Sequence, residues 1–570
     1  MSDVNYLINQ AEIREKSLHA ILASDNPRKI IIAGPGTGKT FTFEKLFRLN
    51  NSNKNLALTF IRKLVEEMEQ GFGDIAEVKT FHAYCKMLLH KQFGSLHLVP
   101  FLTSVVKEDS QSIGAPLDKF RDRFQTLDED SPEINYYLRR GDYYNAVSFD
   151  DSVYKVYQSV KEGNLSIPQY EQIVIDEFQD FNSLEIELIK LLEQKNKILL
   201  VGDDDQAIYA NTRNSSPEHL REFVNSGKYE IFELPYCSRC PSVVVEATSA
   251  FIDSAGKLGG LRSRAPKPFF PYLEGKEYEN KTYPKVITAE TGNIAGLSTY
   301  LENAIARIPE PDIQEAYANN YSCVLIIGAR QYLNPINKRL QKNYPLTRFS
   351  QAKPIEYTLS DGYYYLLKDE ESNLGWRILA GCELSAGKLR TIVKETHDGT
   401  NIKSLLEKDF VRRHADIIKI LRAEDLSEEK RNLLEDYLGE DSTDVSTFFF
   451  PPEEEEPPQT DQSLPTILLS SFEGCKGLSA GHVFIVGLNQ GLMPKMAVDF
   501  TIPDIEYSKF IVAMTRTRKE LHLLSNRWDY SYKDGPRLFP SSFIKMIPEE
   551  LRHDGGYLRV KQMQAFFENI

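Results

Sequence analysis

The run Ile30-Ile31-Ile32-Ala33-Gly34-Pro35-Gly36-Thr37-Gly38-Lys39-Thr40 carries an apolar stretch into a glycine-rich turn that ends on Lys-Thr. Those residue types at that spacing can cradle phosphate groups. Backbone amides of the turn, and the first turn of a helix opening at Lys39, present partial positive charge to an anion. Gly34, Gly36, Thr37 and Gly38 are the expected phosphate contacts, Lys39 is long enough to reach the outer phosphates, and the Thr40 hydroxyl suits Mg²⁺. The first glycine of the usual pattern is Ala33 here. Such a turn can also be purely structural, so the reading needs a second half.

Ile173-Val174-Ile175-Asp176-Glu177 supplies it, with two acids at the end of an apolar run. Asp176 is expected to hold Mg²⁺ through its water shell, and Glu177 to orient and deprotonate an attacking water. An Asp-Glu pair after a strand is usually a solvated turn; beside a phosphate cradle it reads as chemistry. A third string, Gly202-Asp203-Asp204-Asp205-Gln206-Ala207-Ile208-Tyr209, also follows an apolar run and sets Gln206 where it can report a terminal phosphate.

Short apolar runs separated by amphipathic stretches position these residues. Ile30–Ile32, Leu56–Leu58, Ile173–Ile175 and Ile198–Val201 read as strands of one parallel sheet covered on both faces. The same grammar returns at Val324–Ile327, Ile467–Leu469 and Val483–Val486, which predicts a second α/β core. Residues 95–165 and 381–462 read as mainly helical insertions, one in each core. The second closes on Pro451-Pro452-Glu453-Glu454-Glu455-Glu456-Pro457-Pro458, a solvated linker by composition. The expected division is 1–94 with 166–230 for the first core and 231–380 with 463–570 for the second.

A chain of 570 residues is too long for one core. It has no apolar run of about 18 residues and no signal-peptide pattern at its start, so no membrane partner is expected and the cytoplasm is the expected location. Of six cysteines only Cys237 and Cys240 are close in sequence, too few ligands for a zinc or iron–sulfur site. The net charge of −14 argues against broad non-specific duplex binding, but it leaves room for a local basic and aromatic groove.

The strings at 176–180 and 202–209 resemble motifs II and III of the UvrD/Rep/PcrA-like superfamily 1 DNA helicases. Further motifs follow in that family's order. Leu58-Thr59-Phe60-Ile61-Arg62-Lys63 resembles motif Ia, and Thr80-Phe81-His82-Ala83-Tyr84-Cys85 the next DNA-contacting motif. Leu234-Pro235-Tyr236-Cys237-Ser238-Arg239 resembles motif IV, Ser471 to Leu478 motif V, and Val512 to Arg518 motif VI. The resemblance implies two RecA-like P-loop motor domains, parallel sheets flanked by helices, with ATP and Mg²⁺ bound between them. It implies that Arg239 and Arg516 stabilise charge on the γ-phosphate from the second core. It also implies a single-stranded DNA track, for which Phe60, Arg62, Phe81, His82, Tyr209 and Arg213 are the candidates. Each aromatic among them either stacks on bases or packs in the core.

The chain departs from the family pattern in several places. The adenine-reading Gln expected about sixteen residues before Gly34 is Leu18, and the nearest upstream Gln is Gln10. The stacking Tyr of motif IV is Ser238, with Tyr236 two residues away as a substitute. Asn211-Thr212 stand where Trp-Arg often follows motif III; in motif V, Glu473 replaces His, and Ser479 stands where an acid is usual. The resemblance implies 3′→5′ movement on DNA in repair, recombination or anti-phage defence. The alternative is a DNA-stimulated subunit that serves a partner nuclease or other effector, as in Gabija-type systems; a non-enzymatic scaffold is the third reading.

Overall fold

A computed structural model describes residues 2–50, 52, 54–94, 96–115, 117–349, 356–423, 426–451, 461–529 and 535–568. The protein is α/β, built on two parallel sheets flanked by helices. The first has six strands in the order Glu77–Thr80, Asn55–Thr59, Gln172–Ile175, Ile198–Gly202, Arg28–Ile32, Glu230–Glu233. The apolar runs make its centre, and Ile30, Ile31, Leu56, Ile173, Ile175, Leu199 and Leu200 are all fully buried. One face is sealed by Phe43, Phe47, Met68 and Phe72. The other continues into the helical insertion through Phe81, Tyr84, Leu88 and Ile189.

The second sheet has seven strands in the order Thr347–Phe349, Ile467–Ser470, Ser322–Ile327, Ala480–Ile485, Thr517–Asn526, Val286–Thr291, Arg552–Tyr557. Val244, Phe251, Phe510 and Phe543 cover one face, and Leu297, Tyr300, Leu301 and Leu333 the other.

Two boundaries differ from the sequence reading. A cut at residue 230 falls at the start of Glu230–Glu233, which pairs with Arg28–Ile32 and closes the first sheet. Its two glutamates and largely exposed pattern are those of an edge strand, which one sheet face alone cannot bury. The helices of the second insertion begin at Leu359–Lys368 rather than near 381, and run to Asp441–Phe449. The acidic linker lies mostly outside the described residues, since 452–460 are not among them.

The two insertions share one apolar core, in which Tyr137 and Val105 of the first belong with Trp376 and Leu379 of the second. A buried ionic knot joins them. Asp109, fully buried, accepts from Arg377 Nε at 2.7 Å and from Arg140 Nε at 3.0 Å. Three charges buried together are tolerated only because they are paired and hydrogen-bonded. Among the described residues, no helix is long and apolar enough to cross a membrane.

Candidate nucleotide and nucleic-acid site

The strand Arg28–Ile32 ends in the glycine-rich turn, and the helix Lys39–Asn50 starts at its exit. Gly36 (φ +69°) and Gly38 (φ +92°) take left-handed conformations that favour glycine. A side chain at Gly36 would also fall 2.5 Å from Arg239 Cβ. The turn is closed by Thr37 Oγ1, which donates to Gly34 O at 3.0 Å. Ala33 is fully buried where the pattern has its first glycine.

Asp176 and Glu177 follow the neighbouring strand Gln172–Ile175. Glu177 has φ +55° and ψ +42°, a left-handed conformation costing roughly 1–2 kcal/mol for a residue other than glycine. That strained turn sets its carboxylate 3.9 Å from Lys39 Nζ. Gln179 Nε2 donates to Glu177 Oε2 at 2.6 Å. Burial alone would raise the Glu177 pKa, but Lys39 and Lys476 overcome it and hold the group well below the usual carboxylate range. Burial, with the Glu177 charge, pushes Asp176 upward instead. Asp176 Oδ1 is buried and has no hydrogen-bond partner among the described residues. An unsatisfied carboxylate oxygen near the Lys39 charge, with an exposed Thr40 next in sequence at the helix start, fits a hard, oxygen-seeking cation.

The second core reaches across. Gln206, buried, donates from Nε2 to Asp203 Oδ2 at 2.7 Å, and its Oε1 accepts from Arg516 Nη2 at 3.1 Å. Arg516 is anchored by Nε to Val512 O at 2.8 Å. Burial and the neighbouring Arg239 charge pull the Arg516 pKa down to about 10. A buried Arg516 that feels the like charge of a half-buried Arg239 suits an anion placed by both. Arg239 is brought to the turn by backbone, because Ser238 N donates to Gly36 O at 2.9 Å.

Three contributors were not singled out from sequence. Lys476, fully buried, bridges to Asp180, lies 3.3 Å from Glu177 Oε2, and donates to Gln206 O at 2.8 Å. It lies inside the motif V string, so a signal existed. Gln179 ties Glu177 to the Gln206 loop, accepting from Asp203 N at 2.9 Å. Lys267 lies within 2.8 Å of Asp203, Asp204 and Asp205 alike, and nothing local in the sequence marks it.

The nucleic-acid candidates divide. Phe60, Arg62, His82 and Arg213 line one cleft of about 620 Å³, together with Arg121 and Phe149 from the first insertion. The Arg213 guanidinium stacks 3.4 Å above the Phe60 ring and is fixed by Glu185 at 2.5 Å. Glu185 is itself held by its capping box with Asn182. Tyr209 meets Phe60 edge-on at 5.5 Å, and its hydroxyl donates to Glu473 O of the second core at 3.0 Å. Phe81 is a correction: it is fully buried, packed edge-on against Phe181 at 5.2 Å, and presents no face to a base. As the first residue of the helix Phe81–Phe93 it turns into the sheet.

Residues 17–212 match the AAA domain family. A protein named probable DNA helicase II homolog of Mycoplasma capricolum is 23% identical, covering 95% of this chain and 88% of that protein. DNA helicase II of Escherichia coli is 24% identical over 96% of this chain and 89% of its own length. ATP-dependent DNA helicase Rep of Buchnera aphidicola (Schizaphis graminum) is 22% identical over 91% and 94%. This chain is thus similar, at low identity and over most of its length, to proteins named DNA helicase II and Rep.

Proposed function

We propose that this protein is an ATP-dependent DNA helicase or translocase that moves 3′→5′ along single-stranded DNA. The observation that carries the reading is the contact across the two cores: Arg516 on Gln206, and Lys476 on Glu177 and Asp180, all beside the phosphate cradle. The turn amides and Lys39 would hold the phosphates. Thr40 and Asp176 would hold Mg²⁺, which when bound neutralises phosphate charge. Glu177, kept ionised by two lysines, would orient the water and take its proton as the water oxygen bonds to the γ-phosphorus; the bond from that phosphorus to the bridging oxygen breaks, and ADP leaves with the oxygen. Arg239 and Arg516 face the charge that builds on the γ-phosphoryl oxygens. Once phosphate leaves, that charge no longer draws the arginines in, and the cores can separate.

Coupling to DNA is supported by Tyr209, which joins Phe60 on the DNA cleft to Glu473 on the second core. A shift of one core is felt at both ends of that contact. The test is displacement of streptavidin from biotinylated single strands. ATP-dependent displacement from the 5′ end, with little from the 3′ end, supports 3′→5′ movement; the reverse pattern contradicts it.

The net charge of −14 favours a second reading, a DNA-stimulated subunit placed on its substrate by a partner nuclease or other effector. Unwinding of a tailed duplex by the purified chain alone would count against that reading. Work in DNA repair, recombination or anti-phage defence is compatible with either.

A further inference from the structure

Cys237 and Cys240, both buried, flank Arg239 in the turn between the short strand Tyr236–Cys237 and the helix Ser242–Lys257. That turn touches the nucleotide site on two sides. Ser238 N donates to Gly36 O at 2.9 Å, and a side chain at Gly36 would fall 3.0 Å from Cys237 Sγ. Cys240 Sγ donates to Thr515 O at 3.6 Å, one residue before Arg516. The pair therefore brackets one of the two arginines read as facing the γ-phosphate and holds the backbone of the other.

Buried cysteines are usually small apolar fillers. Cys85, Cys323 and Cys475 fit that description, each with its thiol pKa raised by burial. Cys237 differs. Its interaction with the Cys240 thiol outweighs burial and, helped by the Arg239 charge, brings its pKa down to about 7. A thiol of that kind with a second thiol beside it has the makings of a reactive pair. Access runs through the seam between the cores. Both thiols pack in the apolar core of the second, while Gly36, which covers Cys237, belongs to the first.

We infer that Cys237 and Cys240 are a modification site, closed by peroxide into a reversible disulfide that turns hydrolysis off by re-aiming Arg239 and Arg516. The inference rests on the proposal that those arginines serve ATP hydrolysis. The Cys237 thiolate attacks one oxygen of hydrogen peroxide; the O–O bond breaks, leaving a sulfenic acid on Cys237 and hydroxide, which takes up the proton Cys237 gave. The Cys240 sulfur then bonds to the Cys237 sulfur, the S–O bond breaks, and water leaves with the Cys240 proton. Two thiols are oxidised and one peroxide is reduced to two waters. A dithiol reverses the bond by exchange. Bonded sulfurs stand much closer than two thiols can, so the turn contracts around Arg239, and Cys240 gives up Thr515 O.

The test treats the full chain with hydrogen peroxide, blocks the remaining thiols with N-ethylmaleimide and maps disulfides by mass spectrometry. Phosphate release with single-stranded DNA is followed before and after dithiothreitol. Expected are a Cys237–Cys240 disulfide, a rate lower by about a hundredfold, and its recovery in dithiothreitol. Cys382→Ser, at an exposed cysteine, should respond as wild type does. Cys240→Ser leaves Cys237 without a partner thiol, so oxidation should run on to sulfinic acid, which dithiothreitol does not reverse. The map is made on wild type and holds whether or not that variant folds. Absence of the Cys237–Cys240 bond under peroxide that oxidises Cys382 overturns the inference, as does a mapped bond with the rate within about threefold of the reduced protein. A reduced protein that does not hydrolyse ATP overturns the proposed function and the switch with it, and the map alone then decides whether the pair is an oxidation site.

Discussion

Replacing Lys267 with Met should cripple hydrolysis without touching the nucleotide. The Lys267 ammonium, buried, sits 2.8 Å from Asp203, 2.7 Å from Asp204 and 2.8 Å from Asp205. Burial alone would lower its pKa, but the three carboxylates reverse that and keep it charged. In the Met variant Asp205 keeps Arg264 at 2.6 Å and Asp204 keeps Arg221 at 2.9 Å. Among the described residues Asp203 keeps no other cation that close, and Asp203 is the residue that holds Gln206. Removing one partner from a buried ion pair costs about 3–5 kcal/mol. The loop relieves part of that by moving, and Gln206 with its Arg516 contact moves too. Loss of one preorganised transition-state contact lowers kcat about 10²- to 10³-fold. The assay is steady-state ATP hydrolysis with saturating single-stranded DNA. Expected is a kcat fall of about a hundredfold, KM changed less than about threefold, and a lower thermal midpoint. Lys267→Arg should recover part of the kcat, since the positive charge returns. A Met variant with kcat within about threefold of wild type and an unchanged midpoint would refute the reasoning.

Arg516→Ala should reduce single-turnover phosphate release by about 10³-fold or more with little change in nucleotide affinity; a drop below about tenfold would remove Arg516 from the transition state. Phe60→Ala should abolish DNA stimulation of hydrolysis and leave the thermal midpoint near wild type, whereas Phe81→Ala, fully buried, should cost about 3–5 kcal/mol of stability first. Equal midpoints for those two variants would contradict the placement of Phe81. Tyr209→Ala should likewise weaken coupling of hydrolysis to DNA, read as the ratio of stimulated to basal rate; an unaltered ratio removes Tyr209 from the coupling path. His482 lies 3.2 Å from Asp312 and 3.4 Å from Glu520. Burial lowers its pKa, but the two carboxylates more than offset this, and the folded pKa ends above the usual 6.5. Its stabilising contribution is thus full below about pH 6.5 and lost as pH rises through the higher folded value. The midpoint advantage of wild type over His482→Gln should shrink on going from pH 6 upward, and a constant difference would count against it.

Local grammar made much of the first core readable. Ile30–Ile32 and Ile173–Ile175 are short apolar runs that only a sheet covered on both faces can bury, and their C-terminal ends bring Lys39 to Glu177. Contacts between distant segments were not readable in that way. Lys267 joins carboxylates some sixty residues earlier, and no spacing rule links them. Lys476 stood in a recognisable string, yet its burial against Asp180 depends on how the two cores meet. Phe60 and Phe81 both follow strands and look equivalent as sequence. What separates them is helix phase: Phe81 opens a helix whose apolar face turns to Phe181, while Phe60 precedes its helix and stays on the cleft. The strand Glu230–Glu233 was misplaced because an edge strand lacks the doubly buried signature that identified its neighbours.

The central claim is that two cores close on ATP and that DNA drives the cycle. Its most direct test is phosphate release by the purified full chain with and without single-stranded DNA, with Glu177→Gln as the control. The account predicts a low basal rate, strong stimulation by DNA, and loss of both in the control. Hydrolysis that is indifferent to DNA, or that survives Glu177→Gln, would contradict it.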